Sequence, residues 1–227
     1  MKRALIATGL SIGLLLATIT PSLFSKGTED SEMMVLPALY QKDEAPLMST
    51  LEKMQKDMGL ITMKGSAGSY YVAAMIPYCR AGVELSRTVK SFNPDREIER
   101  LAGEMSLVDE SYLRDLQRWH SQGDPGTLPL NRSSAQSFLR LMKEIRDSVR
   151  EETGPGFSAQ ALDPQQSFVT IMIAHKQGAV DMAKVVLIFE NDPELRRIAQ
   201  SIISEQQRKL KSLQSWMKSR TALAIYR

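Results

Sequence analysis

Apolar residues recur at steps of three and four positions along most of the chain, which is the period of an amphipathic α-helix. One such stripe contains Met172, His175, Ala179 and Met182. Turns rich in glycine and proline separate the periodic stretches, as expected between helices. No stretch of useful length alternates apolar and polar residues in the manner of a half-buried strand. The pattern therefore predicts an all-α fold.

The helical pattern occurs twice, and the two copies are 97 residues apart. Residues 75–86 align without a gap with residues 172–183, and the match extends to Trp119 and Trp216. Identical residues stand at many aligned positions, among them Val72 and Val169, Met75 and Met172, Phe92 and Phe189, Asp95 and Asp192, Arg100 and Arg197, and Leu116 and Leu213. This self-similarity predicts a duplicated helical hairpin that sets the architecture.

Each copy of the repeat consists of one helix followed by a hairpin of two longer helices. We predict a first helical repeat over residues 46–119, an inter-repeat linker over 120–132 and a second helical repeat over 133–217. Each hairpin has an apolar stripe on both of its helices, and the two hairpins bury these stripes by packing together. The prediction is a single domain, a four-helix bundle of duplicated hairpins with extra flanking helices.

The two ends of the chain lie outside the repeats. Residues 1–25 begin with Lys2 and Arg3 and continue as an uncharged apolar run, which is typical of a secretory signal peptide. Because no Ala-x-Ala cleavage sequence follows the run, an uncleaved anchor in the inner membrane is the alternative. We predict a linker over residues 26–45 and a tail over 218–227, and we expect a periplasmic or secreted body.

Composition narrows the classes of function. Among 227 residues there are 29 lysines and arginines against 26 aspartates and glutamates, without a basic stripe interleaved with aromatics, so nucleic acid is not an expected partner. We expect membrane contact only through an uncleaved N-terminal segment, and the sequence identifies no protein partner. The chain lacks the motifs of nucleophilic catalysis and of phosphate-binding loops, which indicates a non-enzyme. It contains 13 methionines, and thioether sulfur is a ligand for soft metals.

The candidate ligands lie on the middle helix of each repeat. Met172 and His175 are three residues apart, so they are neighbours on the helix surface and can share one ion. Met182 is about 10 Å further along the helix axis than His175, so it belongs either to a second site or to the core. Met75 and Cys79 can approach from the opposite side if the two middle helices cross near the motif. The alternative for each of these residues is an ordinary place in the hydrophobic core.

The motif from Met172 to Ala183, followed by a turn and a helix that ends in Trp216, resembles a family of small secreted bacterial proteins. This family is catalogued as domain of unknown function three-zero-five, and some members are periplasmic copper-binding proteins of the CopM type. The resemblance is marked over residues 163–217 and degenerate over residues 47–119. It implies a ferritin-like helical bundle.

A pair of adjacent histidines marks the motif helix in this family. His175 matches the first of them and Lys176 replaces the second. In the first repeat, Tyr78 replaces the first histidine and Cys79 replaces the second. The resemblance thus implies a partial site for a soft metal ion, Cu(I), whose ligands are His175, Met172, Cys79, Met75 and Met182.

Two hypotheses about function follow. In the first, the chain is an exported bundle that binds copper for buffering or tolerance. In the second, it is an extracytoplasmic structural or protein-interaction module that has lost metal binding. Clustered ligands would favour the first hypothesis, and an interior into which Lys176 and Tyr78 point would favour the second.

Overall fold

The computed structural model describes residues 30–123, 130–154 and 163–225, and the side chains of residues 45–123, 130–154 and 163–220. Within these residues the chain forms six α-helices and a short 3₁₀ helix over Val89–Phe92. The α-helices are α1 (Asp30–Gly59), α2 (Ala67–Thr88), α3 (Arg96–Ser121), α4 (Arg132–Thr153), α5 (Pro164–Phe189) and α6 (Pro193–Ile225). The described ranges contain no strand, and the prediction of an all-α fold is confirmed.

The helices form two hairpins that pack on one another. Helix α2 packs along α3, and α5 packs along α6 in the same way. The hairpins meet through contacts of α2 with α5 and of α3 with α6, which makes a four-helix bundle. Helix α1 lies against α2, and α4 lies against α5 as the equivalent flanking helix. The predicted duplicated bundle with flanking helices is thus confirmed.

Reciprocal contacts make the duplication visible in three dimensions. The indole nitrogen of Trp119 donates to Asp192 Oδ1 at 2.9 Å, and that of Trp216 donates to Asp95 Oδ2 at 3.1 Å. Each tryptophan therefore bonds to the other repeat's copy of the same aspartate. This exchange of equivalent contacts relates the two repeats by a pseudo-two-fold axis.

The same two aspartates begin the last helix of each repeat. Asp95 Oδ1 accepts from the backbone N–H of Ile98 at 2.9 Å, and Asp192 Oδ1 accepts from that of Leu195 at 2.7 Å. These are N-cap bonds, which satisfy backbone donors that the helix itself leaves free. One carboxylate per repeat thus fixes both a helix start and a contact between repeats.

The ends of the chain differ from the sequence prediction. Helix α1 begins at Asp30, so residues 30–45 of the predicted linker are helical, and α6 continues to Ile225, so most of the predicted tail 218–227 is helical. Pro37 and the polar residues of this stretch suggested a linker, but α1 passes through Pro37, although proline is unfavourable inside a helix. The tail contains no glycine or proline that would end α6.

Other boundaries are close to the prediction. Helices α3 and α4 extend into the predicted linker 120–132 by two residues and one residue, a difference within the usual uncertainty of helix ends. The predicted signal peptide or anchor over residues 1–25 lies outside the described residues. In the part of the chain that the structure describes, no helix is long and apolar enough to cross a membrane.

Candidate functional site

Polar side chains lie at the centre of the bundle, where the two repeats meet. Lys176 on α5 is 1% exposed and Asp109 on α3 is 2% exposed, and the Lys176 ammonium donates to Asp109 Oδ2 at 2.5 Å. Gln206 on α6 donates its amide N–H to the other carboxylate oxygen, Asp109 Oδ1, at 3.0 Å. Both oxygens of a buried carboxylate are thus hydrogen-bonded, as burial of a charge requires. We call these three residues the central ion-pair cluster.

The predicted ligand His175 lies beside this cluster. Its ring stacks on that of Tyr78, with 4.1 Å between centroids and 6° between planes. The Tyr78 hydroxyl donates to the backbone carbonyl oxygen of His175 at 2.7 Å. Burial, and then the positive charge of Lys176, hold the pKa of His175 well below its ordinary value, so the imidazole is neutral.

Two of these contacts lie on the pseudo-two-fold axis. Tyr78 and His175 are equivalent positions, 97 residues apart, and they touch each other. Asp109 and Gln206 are also equivalent positions and are hydrogen-bonded to each other. A residue can contact its own counterpart only next to the axis that relates them. The predicted approach of the two middle helices, α2 and α5, therefore occurs at the motif itself.

Glycines bring the helices close enough for these contacts. A Cβ atom added to Gly82 would lie 2.3 Å from Asp109 Oδ2 and 3.0 Å from His175 Nε2. A Cβ atom added to Gly178 would lie 2.3 Å from the Tyr78 hydroxyl oxygen. Real Cβ atoms do not approach other atoms so closely, so a larger residue at either position would force Asp109 or Tyr78 to shift. The centre of the bundle is closely packed around its polar groups.

The sulfur-containing candidates all lie in the core. Met75, Met172 and Met182 are at most 1% exposed, and Cys79 is a buried free cysteine. Burial, and then the negative charge of Asp109, raise the pKa of the Cys79 thiol far above its usual range, although Lys176 partly opposes this. Without a metal ion, the cysteine is therefore a thiol.

The central ion-pair cluster lies beside His175, the central residue of the predicted copper site. In the described residues, no group of three or more His, Cys, Asp and Glu side chains could hold a metal ion. Nδ1 of His175 is buried without a hydrogen-bond partner there, so one neutral imidazole nitrogen is free. The ammonium of Lys176 and the protonated thiol of Cys79 do not suit a bound cation. The ligand set of His175, Met172, Cys79, Met75 and Met182 stays a prediction.

Sequence analysis missed the partners of Lys176. Asp109 follows Met105 by four positions on the apolar stripe of α3, and Gln206 lies midway between Ile202 and Leu210 on that of α6. Both are polar residues on faces that are otherwise buried. Since a buried lysine needs a counter-charge, an aspartate on a facing apolar stripe was the available signal.

The fold and its centre define a class of protein: a duplicated helical bundle whose repeats are joined by a buried ion pair. Residues 165–224 match the family model of the domain of unknown function (DUF305). This match confirms that the segment resembles the family.

Other comparisons add little about activity. A solved structure described as the crystal structure of a DUF305 fragment from Deinococcus radiodurans is similar, with 18% sequence identity and a TM-score of 0.49. The similarity covers 69% of this chain and 99% of that chain. No curated protein matches the sequence.

Proposed function

We propose that this chain is an extracytoplasmic structural or protein-interaction bundle whose centre is joined by an ion pair and not by a metal ion. The observation that carries the proposal is the 2.5 Å contact between the Lys176 ammonium and Asp109 Oδ2, in groups 1% and 2% exposed. The family resemblance puts a histidine at the position of Lys176. An ammonium group there repels a bound cation and has already taken the nearest carboxylate.

The neighbouring side chains support the same proposal. A thiol must lose its proton to bind a metal, and the surroundings of Cys79 oppose that loss. Tyr78 takes the place of a family histidine, and its hydroxyl already donates to the backbone carbonyl oxygen of His175. The deep burial of the polar centre also supports a non-enzymatic role, because a substrate would have no access to it.

Copper binding is the second candidate function, and one observation favours it. His175 is neutral and its buried Nδ1 has no hydrogen-bond partner among the described residues. An unpaired polar atom in a core is costly, so a partner for this nitrogen would be stabilising. Met172 lies one helical turn before His175 and offers a soft ligand.

A titration with Cu(I) against a competing chelator such as bicinchoninate separates the two candidates. The control is His120→Ala, because His120 is the other histidine of the chain and is exposed on α3. We expect the wild-type protein and both variants, His120→Ala and His175→Ala, to bind no Cu(I) more tightly than micromolar. Tighter binding that disappears in His175→Ala and persists in His120→Ala would overturn the proposal and support the copper function.

The location outside the cytoplasm rests on residues 1–25 and has its own test. Alkaline phosphatase is active only after export, so we would fuse it behind residue 227 of the full chain. We expect an active fusion whose activity disappears when residues 1–25 are removed. An inactive but stable fusion would contradict the extracytoplasmic part of the proposal.

A further inference from the structure

Two surface grooves of the molecule correspond to each other by the pseudo-two-fold symmetry. Groove one has a volume of 350 Å³ and lies between α1 and α2, and groove two has a volume of 250 Å³ and lies between α4 and α5. Pro77, Arg80 and Ala81 of groove one correspond to Ala174, Gln177 and Gly178 of groove two, each 97 residues further on. The molecule therefore contains two versions of one groove.

The flanking helices extend this correspondence. Lys53 and Met54 of α1 correspond to Ser148 and Val149 of α4, each 95 residues further on. The duplication therefore includes the flanking helix. The offset of 95 residues is two shorter than the 97 within the hairpins, so the connection between the flanking helix and the hairpin differs in length between the repeats. The two grooves can be compared position by position.

The main difference between the grooves is their cations. Groove one has Lys53 and Arg80 in its lining, whereas the lining of groove two contains no lysine or arginine. The counterparts of these cations bond to acidic neighbours: Gln177 donates to Asp181 at 2.8 Å, and Ser148 donates to Glu152 at 2.9 Å. Groove two is thus an acidic version of the groove whose polar groups are already engaged.

Arg80 is the cation of groove one that has no ion-pair partner among the described residues. Lys53 is paired with Asp57 at 2.6 Å, but Arg80 is exposed and has no ion pair with any residue that the structure describes. The floor beside it is apolar and includes the buried side chains of Met54 and Ala81. The hydrogen bond from Lys53 lowers the pKa of the Asp57 carboxyl and the charge of Arg80 adds a smaller effect, but the guanidinium forms no ion pair there. An exposed guanidinium next to an apolar floor is suited to a ligand with an acidic head and an apolar body.

We propose that groove one binds an amphipathic monocarboxylate. The planar guanidinium of Arg80 matches a carboxylate through two parallel hydrogen bonds. The alkyl chain of the ligand lies on the apolar floor at Met54 and Ala81, which removes the apolar surface of the chain itself from water. Asp57 and Glu84 also line the groove and repel a second negative charge, which selects monoanions over dianions. This inference is independent of the function proposed for the centre of the bundle.

Decanoate below its micellar concentration is a suitable probe, and titration calorimetry of the full chain measures its binding. We expect saturable binding at one site, with weaker binding of decanedioate and none of decyltrimethylammonium. Arg80→Gln removes a charge-assisted bond and should weaken binding by about tenfold or more. Arg140→Gln is the matched control, because it removes an exposed arginine on α4 outside groove one and should leave affinity unchanged.

Ala81→Leu tests the apolar floor separately. The added side chain takes up part of the groove and should weaken decanoate binding, while circular dichroism verifies that the helical content is kept. The proposal fails if wild-type protein binds no decanoate, if decyltrimethylammonium binds as tightly, or if Arg80→Gln and Arg140→Gln have equal effects. It also fails if light scattering shows a dimer that Ala81→Leu dissociates, since a second copy would then occupy the groove.

Discussion

Replacing Lys176 by methionine should be among the most destabilising single changes in this protein. Methionine has a similar length and helix propensity, so the substitution mainly removes the ammonium group. Asp109, at 2% exposure, would then have no counter-charge and only the Gln206 amide as a donor. Breaking a buried ion pair by removing one partner typically costs about 3–5 kcal/mol.

That cost is large compared with the whole stability of a domain, which is roughly 5–15 kcal/mol. For a chain of this size it corresponds to a fall in melting temperature of roughly 6–20 °C. Replacing both partners should cost far less, because an apolar pair of similar volume is often neutral or stabilising by comparison with a buried ion pair. The double variant Lys176→Met with Asp109→Leu should therefore recover most of the stability that Lys176→Met loses.

Chemical denaturation followed by far-ultraviolet circular dichroism gives the free energies of unfolding for this cycle. The control is Lys184→Met on the same helix, whose partner Asp181 lies 3.0 Å away and whose side chain is 52% exposed. An exposed pair of this kind is worth at most about 1 kcal/mol. The ion pair does not join the repeats if Lys176→Met costs no more stability than Lys184→Met. The same conclusion follows if the double variant loses as much as Lys176→Met and Asp109→Leu lose together.

Three further predictions concern the same core. Because the pKa of His175 in the folded state lies well below 6.5, the unfolded state takes up a proton first as the pH falls. The free energy of unfolding should therefore fall by up to about 1.4 kcal/mol per pH unit below pH 6.5. Denaturation midpoints from pH 7.5 to 5 should show this slope, and His175→Phe should remove it. Gly82→Ala should cost about 1–3 kcal/mol through overpacking against Asp109. Gly103→Ala should instead stabilise its helix by roughly 0.5–1 kcal/mol, because an added Cβ there meets nothing within 4 Å. Thermal melts of both variants measure these two effects. Trp119→Phe and Trp216→Phe should each cost about 1–3 kcal/mol, because each loses an indole bond to a capping carboxylate of the other repeat. A loss near zero for either variant in denaturant unfolding would contradict the role of these bonds.

The fold was largely predictable because two independent signals agreed. The helical period located the elements, and the 97-residue repeat required the two hairpins to pack in equivalent ways. The ends of α1 and α6 were not predicted correctly, because proline and polar composition are weak indicators of where a helix begins or ends. A helix stabilised by packing along part of its length can continue through such positions.

The centre was predicted only in part. His175 and the methionines were correctly assigned to an inward face, since an apolar stripe marks that face directly. Whether Lys176 reached solvent or the interior depended on which residue of a facing helix lay within 3 Å of its ammonium. That information is tertiary: Asp109 is 67 residues away in sequence, and no periodicity on α5 alone refers to α3.

The duplication within one chain explains how a single ion pair can lie on a symmetry axis. On a true two-fold axis identical side chains face each other, so two lysines or two aspartates would meet and repel. Here the equivalents of Lys176 and Asp109 are Cys79 and Gln206, both uncharged, so the repeats differ at each polar position next to the axis. The first repeat supplies Asp109 and the second supplies Lys176. Their symmetry equivalents, Gln206 and Cys79, add no charge. A pairing of two first repeats would bring two copies of Asp109 to the axis without a lysine, and a pairing of two second repeats would bring two copies of Lys176 without an aspartate. The divergence of the copies therefore makes the pairing of first repeat with second repeat more favourable than the pairing of either repeat with itself.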